Sequence, residues 1–367
     1  MRKDYSSYME IPLGQGLREL SGPVLLTGHT GFKGTWMTFL LERLKVPVIG
    51  YSLPAEKDSL YDRSDRLGAI PEMLGDIRDY TKLESFIDQH KPSAVIHMAA
   101  QPLVLRSYES PLETFDVNVM GTANILDIAF KKDFIKCILV VTTDKVYRNE
   151  NTGKPFKESD PLEGKDPYSA SKVGTEATVK AWQQIALVDT GPRVISVRAG
   201  NVIGGGDFAT DRLVPDIIKA IIAGTEVTIR NPSSYRPWQH VLDPLIGYLL
   251  AMENSSNDLR YENYNFGPSE KPITVFEVVK IAHEIFPSMI VNIQESDIGV
   301  SGGGREATAL ALDSSLSKNQ FNWEPVFTQE KAIKSTFQWW KMWLENQEGS
   351  AELCKNEIEQ FLPTNSS

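Results

Sequence analysis

Cysteine is scarce in this chain: 367 residues include only two, Cys137 and Cys354, far apart in sequence. Two distant cysteines build neither a disulfide framework nor a metal-ligand cluster, and they suit a reducing compartment. Long apolar runs are also missing. No stretch of about 18 apolar residues occurs, so no membrane span is expected. The opening MRKDYSSYMEIPLGQGLREL has no apolar core of signal-peptide length. Positive charge is not in excess either. A formal net charge of −10 argues against broad contact with a nucleic-acid backbone, while a local basic pocket for a small phosphorylated ligand stays possible. Repeats and low-complexity segments are absent. The expectation is a cytoplasmic protein with no nucleic-acid partner, no membrane association and no metal.

What is present is ordinary globular composition, 41% hydrophobic and 23% charged, on a chain long enough for one large or two smaller domains. Short apolar runs alternate with longer amphipathic ones over the first two-thirds. The runs are PVLLTG (23–28), VPVIGYS (46–52), AVIHMAA (94–100), CILVVTT (137–143) and RVISVRAG (193–200). Between them helical patterns lie near 33–45, 79–90, 111–132 and 168–185. Continuous apolar strands indicate burial on both faces. Strand–helix alternation then predicts an α/β chain with a doubly wound parallel (Rossmann) sheet, whose strand ends share one ligand-binding rim. After about residue 200, Gly and Pro become dense. Short strands are expected at 226–231, 264–267 and 309–313, and helices at 213–223, 240–253, 274–286 and 328–345. This reads as a smaller mixed α/β C-terminal substrate lobe. The division expected is 20–200 for dinucleotide binding and 201–350 mainly for substrate, with segments that can cross back and with peripheral tails at 1–19 and 351–367.

VLLTGHTGFKGTW follows the first strand and carries Gly28, Gly31 and Gly34. Glycines at these steps permit a tight turn, backbone approach to a pyrophosphate and close helix–strand packing. Placed between a strand and a helix, they predict a dinucleotide site. The acid expected at the tip of the second strand is missing: Ser52 stands there, and Glu56 and Asp58 come slightly late. NAD is the expected cofactor. Asp76 in LGDIRD ends the third strand, either beside the adenine or as a cap of the next helix.

Tyr168 and Lys172 in DPYSASKVGTE share a helical face. Such a lysine can lower the phenol's pKa and hold the nicotinamide ribose, making a base for a substrate hydroxyl. Upstream, VVTTDKVY ends a strand in Thr142 and Thr143 and then places Asp144 beside Lys145. Both side chains reach the cleft only if the chain turns out of the strand there. Without other context, Asp144 reads equally as a local cap and Lys145 as a solvated charge.

Together TGHTGFKG, HMAAQP, NVMGTANIL, TTDKVY, DPYSASK and RAGNVIGGGD resemble the extended short-chain dehydrogenase/reductase family over roughly residues 20–345. Adding DRLVPDI, IRNPSSYRPWQHVLDPL and NFGP, the chain is most similar to the CDP-glucose 4,6-dehydratase group of that family. The resemblance implies that Thr143 binds the glucosyl 4-hydroxyl, Tyr168 deprotonates it and Lys172 supports Tyr168. It further implies that Asp144 protonates the departing 6-hydroxyl, with Lys145 acting at C5 as base or as electrostatic support. The neighbour of the acid is glutamate in dTDP-glucose dehydratases and lysine in the CDP-glucose group. Cofactor contacts are implied for Gly28, Thr30, Gly31, Phe32, Lys33, Gly34, Ser52, Asp76, Ile77, Ala99, Ala100, Gln101, Asn118, Thr142, Tyr168 and Lys172. Substrate contacts are implied for Gln101, Asn201, Arg212, Leu213, Arg230, Arg236 and His240. The implied partner is a nucleotide-diphosphate hexose, CDP-glucose, and the implied assembly a homodimer.

The stretch RNENTGKPFKESDPLEGKDPY departs from that group, which often has a Trp-containing segment with a Gly-Tyr-Arg-Glu ending there. An NDP-sugar 4-epimerase, a dehydratase of another NDP-hexose and a non-catalytic dinucleotide sensor are the competing expectations. Epimerases need no elimination acid, and sensors commonly lose the tyrosine or lysine. Trp238 and the three tryptophans of FQWWKMWLE (337–345) read as core, and residues 207–212 as a surface turn.

Overall fold

Successive residues of each central strand enter two different cores. Val24 and Leu26 face one, together with Ile96, Leu139 and Ile195. Leu25 faces the other, with Val95, Ile138 and Val194. Alternation between two buried faces is what a strand covered on both sides requires. The computed structural model describes residues 13–188, 191–210, 212–229, 231–253, 263–293, 310–346 and 349–362. In it seven such strands form one sheet: β1 (Val24–Thr27), β2 (Val48–Ser52), β3 (Glu72–Leu74), β4 (Ala94–His97), β5 (Cys137–Val141), β6 (Arg193–Ala199) and β7 (Asn263–Phe266). Their spatial order is β7-β6-β5-β4-β1-β2-β3, and every pairing is parallel. Strand order reverses between β1 and β4. At that switch point the connections diverge and leave a crevice at the strands' C-terminal ends.

Helices Phe32–Arg43 and Leu242–Glu253 cover one face, and helix Gln329–Glu345 joins the same core. Helices Tyr80–His90, Gly121–Phe130 and Pro167–Val188 cover the other. The tryptophan stripe packs as expected: Trp339, Trp340, Trp343 and also Trp238 are buried. Beyond the sheet, Glu226–Ile229 pairs parallel with Ile290–Ile293, and Tyr235–Arg236 pairs antiparallel with Ile273–Thr274. Helix Val275–Ile285 starts with a capping box between Thr274 and Glu277.

One expected strand crosses back, and two expectations change. The strand expected at 264–267 belongs to the main sheet, because Asn263–Phe266 pairs with β6; the chain crosses back after residue 201. The strand expected at 309–313 is, in its described part, an isolated bridge between Leu312 and Phe156. The segment expected as a C-terminal tail forms helix Ser350–Phe361. Its Cys354, Ile358 and Phe361 are buried in the core, so apolar burial rather than chain position decides its role.

Candidate active site

The glycine turn fits a dinucleotide by two local features. Gly28 has φ +74°, and a Cβ there would stand 2.7 Å from the Ala99 nitrogen. A Cβ on Gly34 would stand 2.1 Å from the Gly28 carbonyl oxygen, so strand and helix meet too closely for any side chain. Gly31 is the N-cap of helix Phe32–Arg43, which has no side-chain cap and no acid in its first turn. That leaves a positive helix end bordered by glycine, suited to a diphosphate. At the β2 tip the Ser52 and Thr30 hydroxyls are 2.8 Å apart, and Thr30 donates to the Leu53 carbonyl. Ser52 therefore donates to Thr30.

Asp76 and Ile77 are placed differently from expectation. The Asp76 carboxylate accepts from the Arg78 guanidinium at 2.6 and 3.0 Å and from its backbone N–H. Those hydrogen bonds hold the carboxyl below its ordinary range. The helix cap is Asp79, not Asp76. Ile77 is core, seated against Gly121.

After β4, Ala99 donates its N–H to Thr27 Oγ1. Asn118, in a π-helical turn (Asp116–Met120), accepts from the Gln101 N–H at 2.8 Å and donates to the Gln101 carbonyl and the Ser171 hydroxyl. Asn118 thus ties the rim loop through Ala100 to the helix carrying Tyr168. The Gln101 side chain is not available to substrate: it donates to the Leu103 carbonyl and Thr114 and accepts from the Leu103 N–H.

The decisive segment follows β5. Thr142 and Thr143 point to opposite sides, as neighbours on an extended chain must. Thr142, expected at the cofactor, donates instead to the buried Glu176 carboxylate at 2.5 Å. Thr143 faces the cleft and caps a 3₁₀ turn, Asp144–Val146, that swings the next two side chains out of the strand. Thr143 donates to Asp144 Oδ1 at 3.1 Å, and Lys145 Nζ lies 3.6 Å from that oxygen. Asp144 is 1% exposed at its side chain, against 37% for Lys145.

Tyr168 and Lys172 arrive on helix Pro167–Val188, both buried. Burial pushes the Tyr168 phenol up. The charge of Lys145 is the strongest influence pulling it back, followed by a hydrogen bond with Thr143 and the charge of Arg212. Lys145 is thus a cation acting on this phenol that the Tyr–Lys spacing alone does not announce. Lys172 donates to the Val141 carbonyl at 3.2 Å, and burial brings it down to about 8 against the pull of Glu176. Lys33 is brought down to about 7 by burial, with repulsion from Lys172 and Arg212 adding to it.

Of the substrate candidates, Arg212 caps helix Leu213–Ala223 and is held by buried Asp207 at 3.0 Å. Asp207, expected in a surface turn, is thus buried and paired with Arg212. Leu213 is half-buried. Asn201 follows β6 and accepts the Gln239 N–H through its carbonyl. Arg236 donates to the Tyr235 carbonyl. Arg230 lies outside the described residues. His240 does not reach the cleft. It is fully enclosed, 3.1 Å from Glu357 and stacked on Phe361 with centroids 4.8 Å apart. Its strand, Gln239–His240, runs beside Val202–Ile203 and turns the ring into the core.

Sequence reasoning missed three residues that the fold gathers beneath this turn, Tyr147, Glu176 and Arg198, and one against it, Gly200. Arg198 interrupts the apolar run VISVRAG, and a charge inside a buried strand signals a paired partner.

The sequence pattern of the NAD dependent epimerase/dehydratase family matches residues 24–267. The chain is 37% identical to the CDP-glucose 4,6-dehydratase of Salmonella typhimurium over 351 residues, covering 92% of this chain and 96% of that one. This chain belongs to the NAD dependent epimerase/dehydratase family. It is also 26% identical to the dTDP-glucose 4,6-dehydratase of Haemophilus influenzae, over 86% of this chain and 97% of that one. The crystal structure of dTDP-glucose 4,6-dehydratase from Bacillus anthracis in complex with NAD superposes with a TM-score of 0.74 at 23% identity, covering 91% of this chain and all of that one. That likeness concerns the fold. As an epimerase/dehydratase family member, the chain has the glycine turn, capless helix end and Tyr–Lys helix that an NAD site needs. Among the described residues no group of three or more His, Cys, Asp or Glu could hold a metal ion, and no helix is long and apolar enough to cross a membrane.

Proposed function

We propose that this protein is an NAD-dependent CDP-glucose 4,6-dehydratase that yields CDP-4-keto-6-deoxyglucose and water. One observation carries the reading beyond the family: the turn at Asp144–Val146 holds a buried carboxyl and a cation 3.6 Å apart, directly beside Thr143 and Tyr168. Epimerisation at C4 has no use for a second acid. Elimination across C5 and C6 needs one group at each carbon. The 37% identity to a CDP-glucose 4,6-dehydratase supports the same choice.

Gly28, Gly31 and Gly34, with Ser52, Asn118 and Lys172 around them, would hold NAD, which supplies a hydride acceptor at C4 and a donor at C6. Thr143 Oγ1 aligns the 4-hydroxyl, and Tyr168 takes its proton, favoured by the Lys145 charge. The resulting 4-ketone acidifies the C5 hydrogen. Lys145 passes its ammonium proton to the Asp144 carboxylate, 3.6 Å away, and as the neutral amine takes that hydrogen. Asp144, sheltered from water, protonates the leaving 6-hydroxyl. Arg212, Arg236 and Asn201 are proposed for the nucleotide-sugar diphosphate, Arg230 joining them. In this reading, residues 20–200 bind mainly cofactor and 201–350 mainly substrate, with β7 crossing back.

We also propose a homodimer through helices Val104–Glu109, Pro111–Phe115 and the turn that follows, where Leu105, Leu112, Phe115 and Met120 are exposed. Two free cysteines support a setting in the reducing cytoplasm. The test is incubation with NAD and a panel of NDP-hexoses, followed by mass and alkaline ultraviolet absorbance. Loss of one water with CDP-glucose, and appearance of a 4-keto chromophore, support the reading. A product of unchanged mass would make the protein an epimerase.

A further inference from the structure

Glu176 lies one helical turn beyond Lys172, on the face that also carries Tyr168. Its carboxylate forms a bidentate pair with Arg198, both N–O distances 2.8 Å, and both side chains are 3% exposed. Each partner then holds one end of the same turn. Glu176 accepts from Thr142 at 2.5 Å, just before the turn. Arg198 donates to the Tyr147 hydroxyl at 2.7 Å, just after it. Tyr147 itself donates to Asn265 at 2.7 Å on β7 and stacks on Phe156, rings 3° apart. Ser196 on β6 supplies a further bond to Glu176 at 2.9 Å.

We propose that Glu176, Arg198 and Tyr147 are positioning residues for the elimination step: they clamp both ends of the turn bearing Thr143, Asp144 and Lys145. The inference rests on the dehydratase reading above. A buried ion pair is by itself weak support for stability, because desolvation offsets its attraction. Here its geometry has a specific result. The strand end and the turn's exit are referred to one planar, two-pronged contact, so the acid–cation pair cannot drift relative to Tyr168, which rides on the same helix as Glu176. Burial alone would raise the Glu176 carboxyl, and the charge and hydrogen bonds of Arg198, with those of Thr142 and Ser196, bring it below its ordinary range. The clamp therefore keeps its charge at neutral pH.

Tyr147→Phe tests this while keeping the stacked ring and the Glu176–Arg198 pair; Thr142→Val tests the other end. Each variant, checked for folding by circular dichroism, is given NAD and CDP-glucose, quenched with borodeuteride and analysed for hexose. Deuterium at C4 of a hexose that retains its 6-hydroxyl reports oxidation without elimination. The expected result is accumulation of that species, with dehydrated product formed roughly ten- to a hundredfold more slowly, the scale set by about 1 Å of misplacement. Wild-type partition in both variants, or an equal slowing of oxidation and elimination, would overturn the proposal. Absence of dehydration by the wild-type protein would overturn the functional reading as well. Normal wild-type turnover with unaffected variants would overturn the clamp alone.

Discussion

A Cβ placed on Gly200 would stand 2.8 Å from Oδ2 of Asp144 and 3.0 Å from the ring of Pro237. The chain at the end of β6 is thus closely flanked by the acid of the Asp144–Lys145 pair and by Pro237 of the RPWQH loop. A glycine at this position lets that carboxyl keep its place. Gly200→Ala is expected to displace Asp144 and cut dehydration by roughly tenfold or more, with C4 oxidation less affected. Single-turnover assays of the two steps, with the fold checked by circular dichroism, measure the difference.

Lys145 is the strongest influence opposing the burial-driven rise of the Tyr168 phenol. Removing its charge in Lys145→Met leaves only the Thr143 hydrogen bond and the Arg212 charge to oppose that rise. The limb on which C4 oxidation increases with pH is expected to move to higher pH. A pH profile of oxidation alone, read by borodeuteride trapping, checks this. An unmoved limb would assign the activation to another group.

Lys33 titrates near 7 in the folded protein against an ordinary 10.5, and Lys172 near 8. Between those values and the ordinary one, the unfolded chain binds more protons than the folded one. Stability from these groups is therefore lowest below about 7 and rises as pH climbs toward 10.5. Lys33→Met removes one contribution, so the unliganded variant is expected to gain less Tm than wild type over that climb. Differential scanning fluorimetry across the window measures it; equal slopes would contradict it.

Phe361 is 2% exposed and packs on Phe327, with centroids 4.3 Å apart, as well as on His240. Phe361→Ala is expected to cost about 3 kcal/mol in urea unfolding, with KM for substrate unchanged in the folded fraction. A raised KM would return His240 to the substrate cleft.

The sheet was legible because strands covered on both faces leave continuous apolar runs, and the glycine triplet sits between a strand and a helix, the context that gives its spacing meaning. Tyr168 and Lys172 were legible from helical periodicity. Thr142 was misplaced although the two-residue alternation of a strand already turns it away from Thr143. His240 was misread because a polar residue among arginines in a turn-rich loop resembles a ligand contact, while its actual partners, Glu357 and Phe361, lie far along the chain. The clamp was hidden for the same reason: Glu176, Arg198 and Tyr147 meet only once β5, β6 and the Pro167–Val188 helix are assembled.

The central claim is an internal redox that ends in loss of water, and one isotope experiment addresses it directly. CDP-glucose deuterated at C4 is incubated with the protein and NAD, and the product is analysed by mass and NMR. The account predicts a 4-keto-6-deoxy hexose lighter by one water, with the deuterium moved to C6. Deuterium still at C4 in a hexose of unchanged mass would contradict it.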